Sequence, residues 1–207
     1  MKNFISGIYA GVMIAFGGVV YLSCDNKYVG CFLFALGLLT VVLRGFDLYT
    51  GKIGYFTLSG GDGSNFNPLR RPLYFPTIIL GNLVGAIIIG YGFRLTRVSA
   101  RIVEVSNNLV AAKLNDSYLS IFILSMACGI MMFLAVDNYK KSKSWLFVIL
   151  PVMVFILSGF EHSVANMFYF SMSDAWSAKS AVYELVMIAG NGVGAIVYRA
   201  CSLKLSA

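Results

Sequence analysis

Arg44 to Phe56 reads RGFDLYTGKIGYF, and Ser158 to Phe170 reads SGFEHSVANMFYF. Aligned without gaps, Gly45, Phe46 and Asp47 fall on Gly159, Phe160 and Glu161, and Tyr55 and Phe56 fall on Tyr169 and Phe170. Both copies lie inside long apolar runs. A glycine, a carboxylate and further polar groups in the middle of two matched hydrophobic spans predict two membrane helices broken near the midplane, with a path through the bilayer between them.

The composition agrees. Of 207 residues, 58% are hydrophobic and only 12% charged, where a soluble domain is about a quarter charged. Mean hydropathy is +0.79. Such a chain cannot cover its surface with polar groups and needs lipid as solvent. The net charge of +7 is then not a nucleic-acid signal, because the basic residues gather at the ends of apolar runs, where headgroups lie. The length predicts a single domain over residues 1–207. Cys24, Cys31, Cys128 and Cys201 have no metal-site spacing; Cys24 and Cys31 flank one short loop and a pairing between them stays open, but small apolar residues is the simpler reading. The first apolar run is long enough to span and has no small-residue cleavage site, which predicts a retained helix rather than a signal peptide.

A span takes about 20 mostly apolar residues. Six segments qualify, roughly 4–24, 29–56, 73–96, 117–137, 145–170 and 181–201. The runs are continuous rather than alternating, which excludes a closed barrel. The fold class is therefore an all-α integral membrane protein. Residues 57–72 (TLSGGDGSNFNPLRRP) read as a connector, and 97–116 as room for a short amphipathic helix. GNLVGA at 81–86 in the third span matches GNGVGA at 190–195 in the sixth. Spans one to three and four to six thus form two related halves, about 1–100 and 113–207. Each half has an odd number of spans, so the second enters the membrane from the opposite side. That is an inverted repeat. Lys and Arg place the N and C termini in the cytoplasm, with Lys2, Arg70, Arg71, Lys140, Lys141, Lys143, Arg199 and Lys204 inside.

An unwound turn survives at membrane depth only when buried in protein or facing a cavity. The glycines at 45 and 159 tolerate the backbone this needs, and the half-helix ends offer N–H donors to a small anion. His162, the single histidine, follows Glu161 in the second break. An ionisable group there costs about 2.5–3.5 kcal/mol on insertion scales and points to function: it offers a hydrogen bond or a proton to an anion, while the plainer alternative is a neutral histidine tying backbone segments together. Asp47 and Glu161 read first as acceptors for the freed backbone amides, which holds the broken helices in shape, with proton carriers as the alternative. Thr50 faces His162 across the pseudo-symmetry axis or caps its own half-helix. Arg44 and Lys52 flank the first break; pairing with Asp47, concentrating anions and snorkelling all stay open. Asn82 and Asn191 recur at one repeat position and read first as supports, then as pore lining. No HExxH occurs and one histidine cannot make a zinc site, so no metal, cofactor or enzymatic role is expected.

GFEHSVANMF at 159–168, GFDLYTG at 45–51, GNLVGA at 81–86 and FALGL at 34–38 together closely resemble the signature of the formate/nitrite transporter family. The resemblance covers all six spans. It implies an aquaporin-like protomer in a homopentamer of the cell membrane, each protomer passing small monovalent anions such as formate, nitrite or hydrosulfide; passive and proton-coupled passage, with His162 giving a hydrogen bond or a proton, both stay open. A water or small neutral solute channel is the alternative. By resemblance His162 is the central pore histidine and Thr50 the threonine of the first break. Leu38 and Phe155, with Phe34 beside them, match the cytoplasmic-side constriction. Lys113 matches a lysine near the outer vestibule, and Glu161, Asn166 and Asn191 match positions that support the break and its hydrogen bonds. Where the family has an asparagine in the fourth span the chain has Cys128-Gly129, so a polar pore group is missing. Arg44, Phe46 and Lys52 replace small residues. The long N-terminal segment often used for gating is lacking, so gating by that segment is not expected.

Overall fold

The computed structural model describes residues 1–56 and 73–205. The expected connector at 57–72, with Arg70 and Arg71, lies outside the described residues. The chain is all-helical there. Helix α1 (Lys2–Ser23) is followed by α2 (Lys27–Arg44), the single turn α3 (Tyr49–Lys52) and a 3-10 turn (Ile53–Phe56). Then come α4 (Tyr74–Arg94), α5 (Ser99–Leu114), α6 (Tyr118–Ser142), α7 (Leu146–Leu157), α8 (Ser163–Met172) and α9 (Ala178–Leu205). Among the described residues, α1, α2, α4, α6 and α9 are long and apolar enough to cross a membrane. The expected spans 29–56 and 145–170 are each split, at 45–48 and 158–162. The amphipathic helix is α5, with Ile102, Ser106 and Val110 buried at every fourth position. All four cysteines are free.

Small residues bring the helices together in matched pairs. A Cβ added at Gly11 would strike the backbone of Asn82, and one at Gly129 would strike the backbone of Asn191. Gly7, Gly81 and Gly85 continue the first crossing, between α1 and α4, while Gly190 and Gly194 continue the second, between α6 and α9. Close backbone approach of this kind is what small residues give membrane helices. It also explains Gly129. The position is a helix crossing with no room for the asparagine side chain that the family pattern leads one to expect.

The two breaks are built alike. Gly45 and Gly159 have φ of 68° and 69°, left-handed backbone that glycine adopts without a Cβ penalty. Beyond each, the next amide reaches back to the helix, Phe46 N to Val41 O and Phe160 N to Phe155 O, both at 2.9 Å. This is the six-to-one bond of a Schellman stop. Helix α8, which leaves the second break, is buried along its whole length and packs against α4, α1, α5 and α9.

Candidate pore and its two breaks

The amides released by the breaks are taken by side chains. In the first, Asn82 Oδ1 accepts from Tyr49 N at 3.0 Å, and Asn82 Nδ2 donates to Gly7 O at 2.8 Å and Asp47 O at 2.9 Å. In the second, Asn191 Oδ1 accepts from Ser163 N at 2.9 Å, and its Nδ2 donates to Ser125 O and Glu161 O, both at 2.8 Å. Each asparagine thus ties a half-helix start, the acidic residue inside the break and a neighbouring helix. Asn191 is fully buried and its amide is spent on backbone, so the secondary reading of it as pore lining is corrected. Ser6 Oγ takes Asp47 N at 2.9 Å, a partner that no motif in α1 signals.

The carboxylates do something other than expected. Neither accepts from a freed amide. Asp47 is held by the Lys52 ammonium and by Tyr74 OH at 2.9 Å. Glu161 Oε2 accepts from Lys113 Nζ at 2.6 Å and Asn166 Nδ2 at 2.8 Å. The asparagines already occupy the amides, which leaves the acids to pair with cations. Lys52, open in the sequence reading, is therefore a counter-ion, whereas Arg44 is exposed. Lys113 is tucked in with a side chain 13% exposed, so its charge is shared with Glu161 rather than held out in a vestibule.

Thr50 and His162 meet. Thr50 Oγ1 lies 2.8 Å from His162 Nε2, and both residues are buried. The other ring nitrogen, Nδ1, accepts from Ala165 N at 3.0 Å as the N-cap of α8. An accepting Nδ1 leaves the proton of a neutral imidazole on Nε2. So Nε2–H donates to Thr50 Oγ1, and the threonine hydroxyl keeps a proton to give elsewhere.

Two cavities flank this pair. One, of about 70 Å³, is lined by Lys113, Phe155, Glu161, His162, Asn166 and Tyr169 among others. The second, of about 250 Å³, is lined by Val41, Gly45, Leu48, Gly51, Lys52, Lys140 and Lys143 among others. His162 reaches the first, and Leu48 and Gly51 on either side of Tyr49-Thr50 line the second. Buried side chains fill the layer between. Phe34 meets Phe155 edge to face at 6.0 Å, and the His162 ring stacks on Phe155 at 5.6 Å. Leu38 is fully buried one turn before Val41. Phe155 lines the Lys113 cavity, not the cavity of Lys140 and Lys143 that carries the expected cytoplasmic lysines. Phe155 thus stands at the end of α7 against His162, while Leu38 stands one turn before Val41, which lines the other cavity.

A sequence profile described as the formate/nitrite transporter family matches residues 1–203. The formate channel FocA of Haemophilus influenzae is 29% identical over 198 residues, covering 82% of this chain and 66% of FocA. The chain thus spans just under two thirds of that relative. The nitrite transporter NirC of Salmonella typhimurium is 25% identical, covering 94% of this chain and 79% of NirC. Among solved structures, a pentameric formate channel with formate bound superposes with a TM-score of 0.81 at 26% identity, covering 99% of this chain and 96% of that one. With its helical fold, two broken spans and apolar helices of spanning length, this multi-pass membrane chain belongs to the formate/nitrite transporter family.

Proposed function

We infer that the chain is a conduit for small monovalent anions of weak acids, of the formate, nitrite or hydrosulfide type. The observation that carries this is the Thr50–His162 pair between two lysine-bearing cavities. Lys113 on one side and Lys52, Lys140 and Lys143 on the other favour anions over cations. The apolar layer of Phe34, Leu38 and Phe155 excludes hydrated ions. Within it, the hydroxyl of Thr50, polarised by His162 Nε2–H, gives an unhydrated anion one strong hydrogen bond. A second proton on His162 would have to sit on Nδ1, facing the Ala165 N–H that it now accepts. His162 therefore acts as a fixed donor, and proton linkage arises elsewhere in the path.

The kinship supports the wider architecture. The relatives are named as channels and transporters, not enzymes, and one solved relative is a pentamer. We read residues 1–207 as one transmembrane domain of six spans, α2 with α3 forming the second and α7 with α8 the fifth. The halves, about 1–100 and 113–207, form an inverted repeat in an aquaporin-like protomer. The matched breaks and the matched α1–α4 and α6–α9 crossings support it. Five such protomers sit in the cell membrane with both termini cytoplasmic, an orientation that rests on the lysines at 140–143.

The test is flux into proteoliposomes with formate, nitrite, hydrosulfide, acetate and chloride. Formate and nitrite are expected to pass, and chloride to be excluded. Thr50→Val, which keeps the shape and removes the hydroxyl, lowers formate flux by about tenfold, the worth of one hydrogen bond to a charge, while Thr50→Ser keeps it. Normal formate flux in both His162→Ala and Thr50→Val sinks the assignment.

A further inference from the structure

Glu184 is a carboxyl that neither break uses. It sits on α9, is 5% exposed, and both carboxyl oxygens are buried without a hydrogen-bond partner among the described residues. Asp47 and Glu161 each accept from two side chains. Buried polar groups are almost always paired, and an exception needs a reason. A structural strut would be paired. An unpaired ionisable group at membrane depth points to function.

Its place in the fold suggests which. Glu184 lies seven residues before Asn191, two turns along the same face of α9 and about 10 Å from the clamp. Beside it, Tyr183 OH donates to Asp116 O at 2.6 Å and fixes this end of α9 to the start of α6. Helix α9 packs on α6, α8 and α5; the titratable and charged groups these elements and the adjoining turns carry at this end are Tyr118, Asp116 and Lys179 against Tyr183, Cys128 on α6, Tyr169 on α8, Lys113 on α5, and Glu161 and His162 at the break. On this face of α9, Asn191 holds Glu161 O and Tyr183 holds Asp116 O, three residues after Lys113, so Glu184 lies between the anchors of the Lys113–Glu161 pair. Lys113 already faces Glu161 at 2.6 Å. Its single positive charge balances one carboxylate and not two. With Glu184 protonated the cluster is neutral; with Glu184 ionised it carries one net negative charge. Lys113 and Glu161 line the smaller cavity, so this charge sets the field that an anion meets there.

We propose that Glu184 is a proton-binding residue beside the transport path, and that its protonation state sets how readily a small anion occupies the Lys113 cavity. The proton leaves the Glu184 carboxyl to water and returns from it; no other bond changes. Protonated, Glu184 leaves Lys113 able to attract the anion. Ionised, it repels the anion. This rests on the chain being an anion conduit, and it supplies the proton linkage that a locked His162 does not.

The test uses the full chain in proteoliposomes with equal pH on both sides and labelled formate, whose anion pool is nearly constant across the range. The flux ratio of Glu184→Gln to wild type is expected near one at about pH 5.5 and five- to tenfold at about pH 8, the effect of a unit charge at partial screening. Glu184→Asp follows the wild type. Infrared spectroscopy of the same samples is expected to show a protonated-carboxyl band that fades as pH rises, shifts in Glu184→Asp and is absent in Glu184→Gln. The shifted band assigns the group even where the Gln variant does not assemble. A flat flux ratio overturns the proposal, as does the absence of a band that titrates. Wild-type flux no greater than in protein-free liposomes overturns the conduit reading and this inference with it, whereas flux with a flat ratio overturns the inference alone.

Discussion

Replacing Asn191 by alanine removes three hydrogen bonds at once. Ser125 O is a helical carbonyl and keeps its place in the α6 ladder. Ser163 N–H and Glu161 C=O are different: they lie in the break, and their bonds to Asn191 run at 2.9 and 2.8 Å. Both groups are left buried without the side-chain partner that the wild type gives them. Each orphaned group costs about 1–3 kcal/mol, so the loss is about 2–6 kcal/mol. For a chain of this size that lowers the Tm of the detergent-solubilised protein by about 5–20 °C. Asn82→Ala removes the matching set, Tyr49 N–H at 3.0 Å and Asp47 C=O at 2.9 Å. The two variants are therefore expected to cost the same to within about 1 kcal/mol. Formate flux should fall in both, because the amides that position Thr50 and His162 are no longer held. Asn191→Asp keeps the acceptor for Ser163 N–H but loses both donations, and should fall between alanine and wild type only if the acceptor matters. The assay is thermal unfolding read by loss of the intact oligomer, with flux on the same preparations. A Tm within about 2 °C of wild type in either alanine variant would show that the breaks hold themselves and that the clamp is incidental.

Other perturbations separate backbone from side-chain effects. Gly45→Ala and Gly159→Ala meet nothing within 4 Å, so their cost is the left-handed backbone alone, about 1–2 kcal/mol, and Asn at either site should recover part of it in the same unfolding assay. Gly129→Ala drives a methyl into the Asn191 backbone; it should cost about 1–3 kcal/mol by forcing α6 and α9 apart, and a crosslinking or distance measurement between these helices should register the movement. Lys113→Met leaves Glu161 buried without its cation, with side chains 13% and 6% exposed in the wild-type pair. The single variant should lose about 3–5 kcal/mol, and adding Glu161→Gln should return a large part of it in a double-mutant cycle.

Much of this was legible in the chain, for identifiable reasons. A break in a membrane helix must carry a glycine and polar groups where lipid would forbid them, so the two copies at 44–56 and 158–170 stand out against apolar flanks. Aligning the copies left Thr50 either facing His162 or capping its own half-helix, and the structure brings the two side chains to 2.8 Å. What the residues did not disclose were pairings made across long sequence distances. Asp47 and Glu161 read as caps for nearby amides because local partners are the only ones a sequence displays. The pairing of Asp47 with Lys52 is local and stood among the open readings, whereas Lys113 against Glu161, and the asparagines that took the amides, are set by how α4, α5 and α9 pack. Gly129 read as a missing polar group because a residue's absence looks like a lost function until its neighbour is known. Tyr21 and Tyr169, which line the smaller cavity, resemble every other aromatic in an apolar span. Glu184 carried a signal that could have been used, a carboxylate within the apolar stretch VYELVMIAG, but no motif surrounds it.

The likeness of the two breaks and the difference between them have separate physical causes. The stop at glycine, the six-to-one bond and the asparagine clamp recur because unpaired backbone at membrane depth has few remedies, and two equivalent turns meet the same demand. No such demand acts on the side chains that fill the turns. There the first break places a hydroxyl and the second an imidazole whose Nδ1 is committed to its own helix. A pair of histidines would set donor against donor or leave one nitrogen unpaired; a pair of threonines would lack a donor fixed in direction. One of each gives a chain of hydrogen bonds with a single sense, Ala165 N–H to Nδ1, then Nε2–H to Thr50 Oγ1, ending on a hydroxyl proton with no competing histidine acceptor. The same asymmetry extends outward. Asp47 is closed by Lys52 and Tyr74, whereas Glu161 shares Lys113 with a cavity and with the charge of Glu184. With Glu184 as the proposed proton site, proton linkage belongs to the side where the carboxyls outnumber the cation, and hydrogen bonding to the Thr50–His162 layer between the cavities.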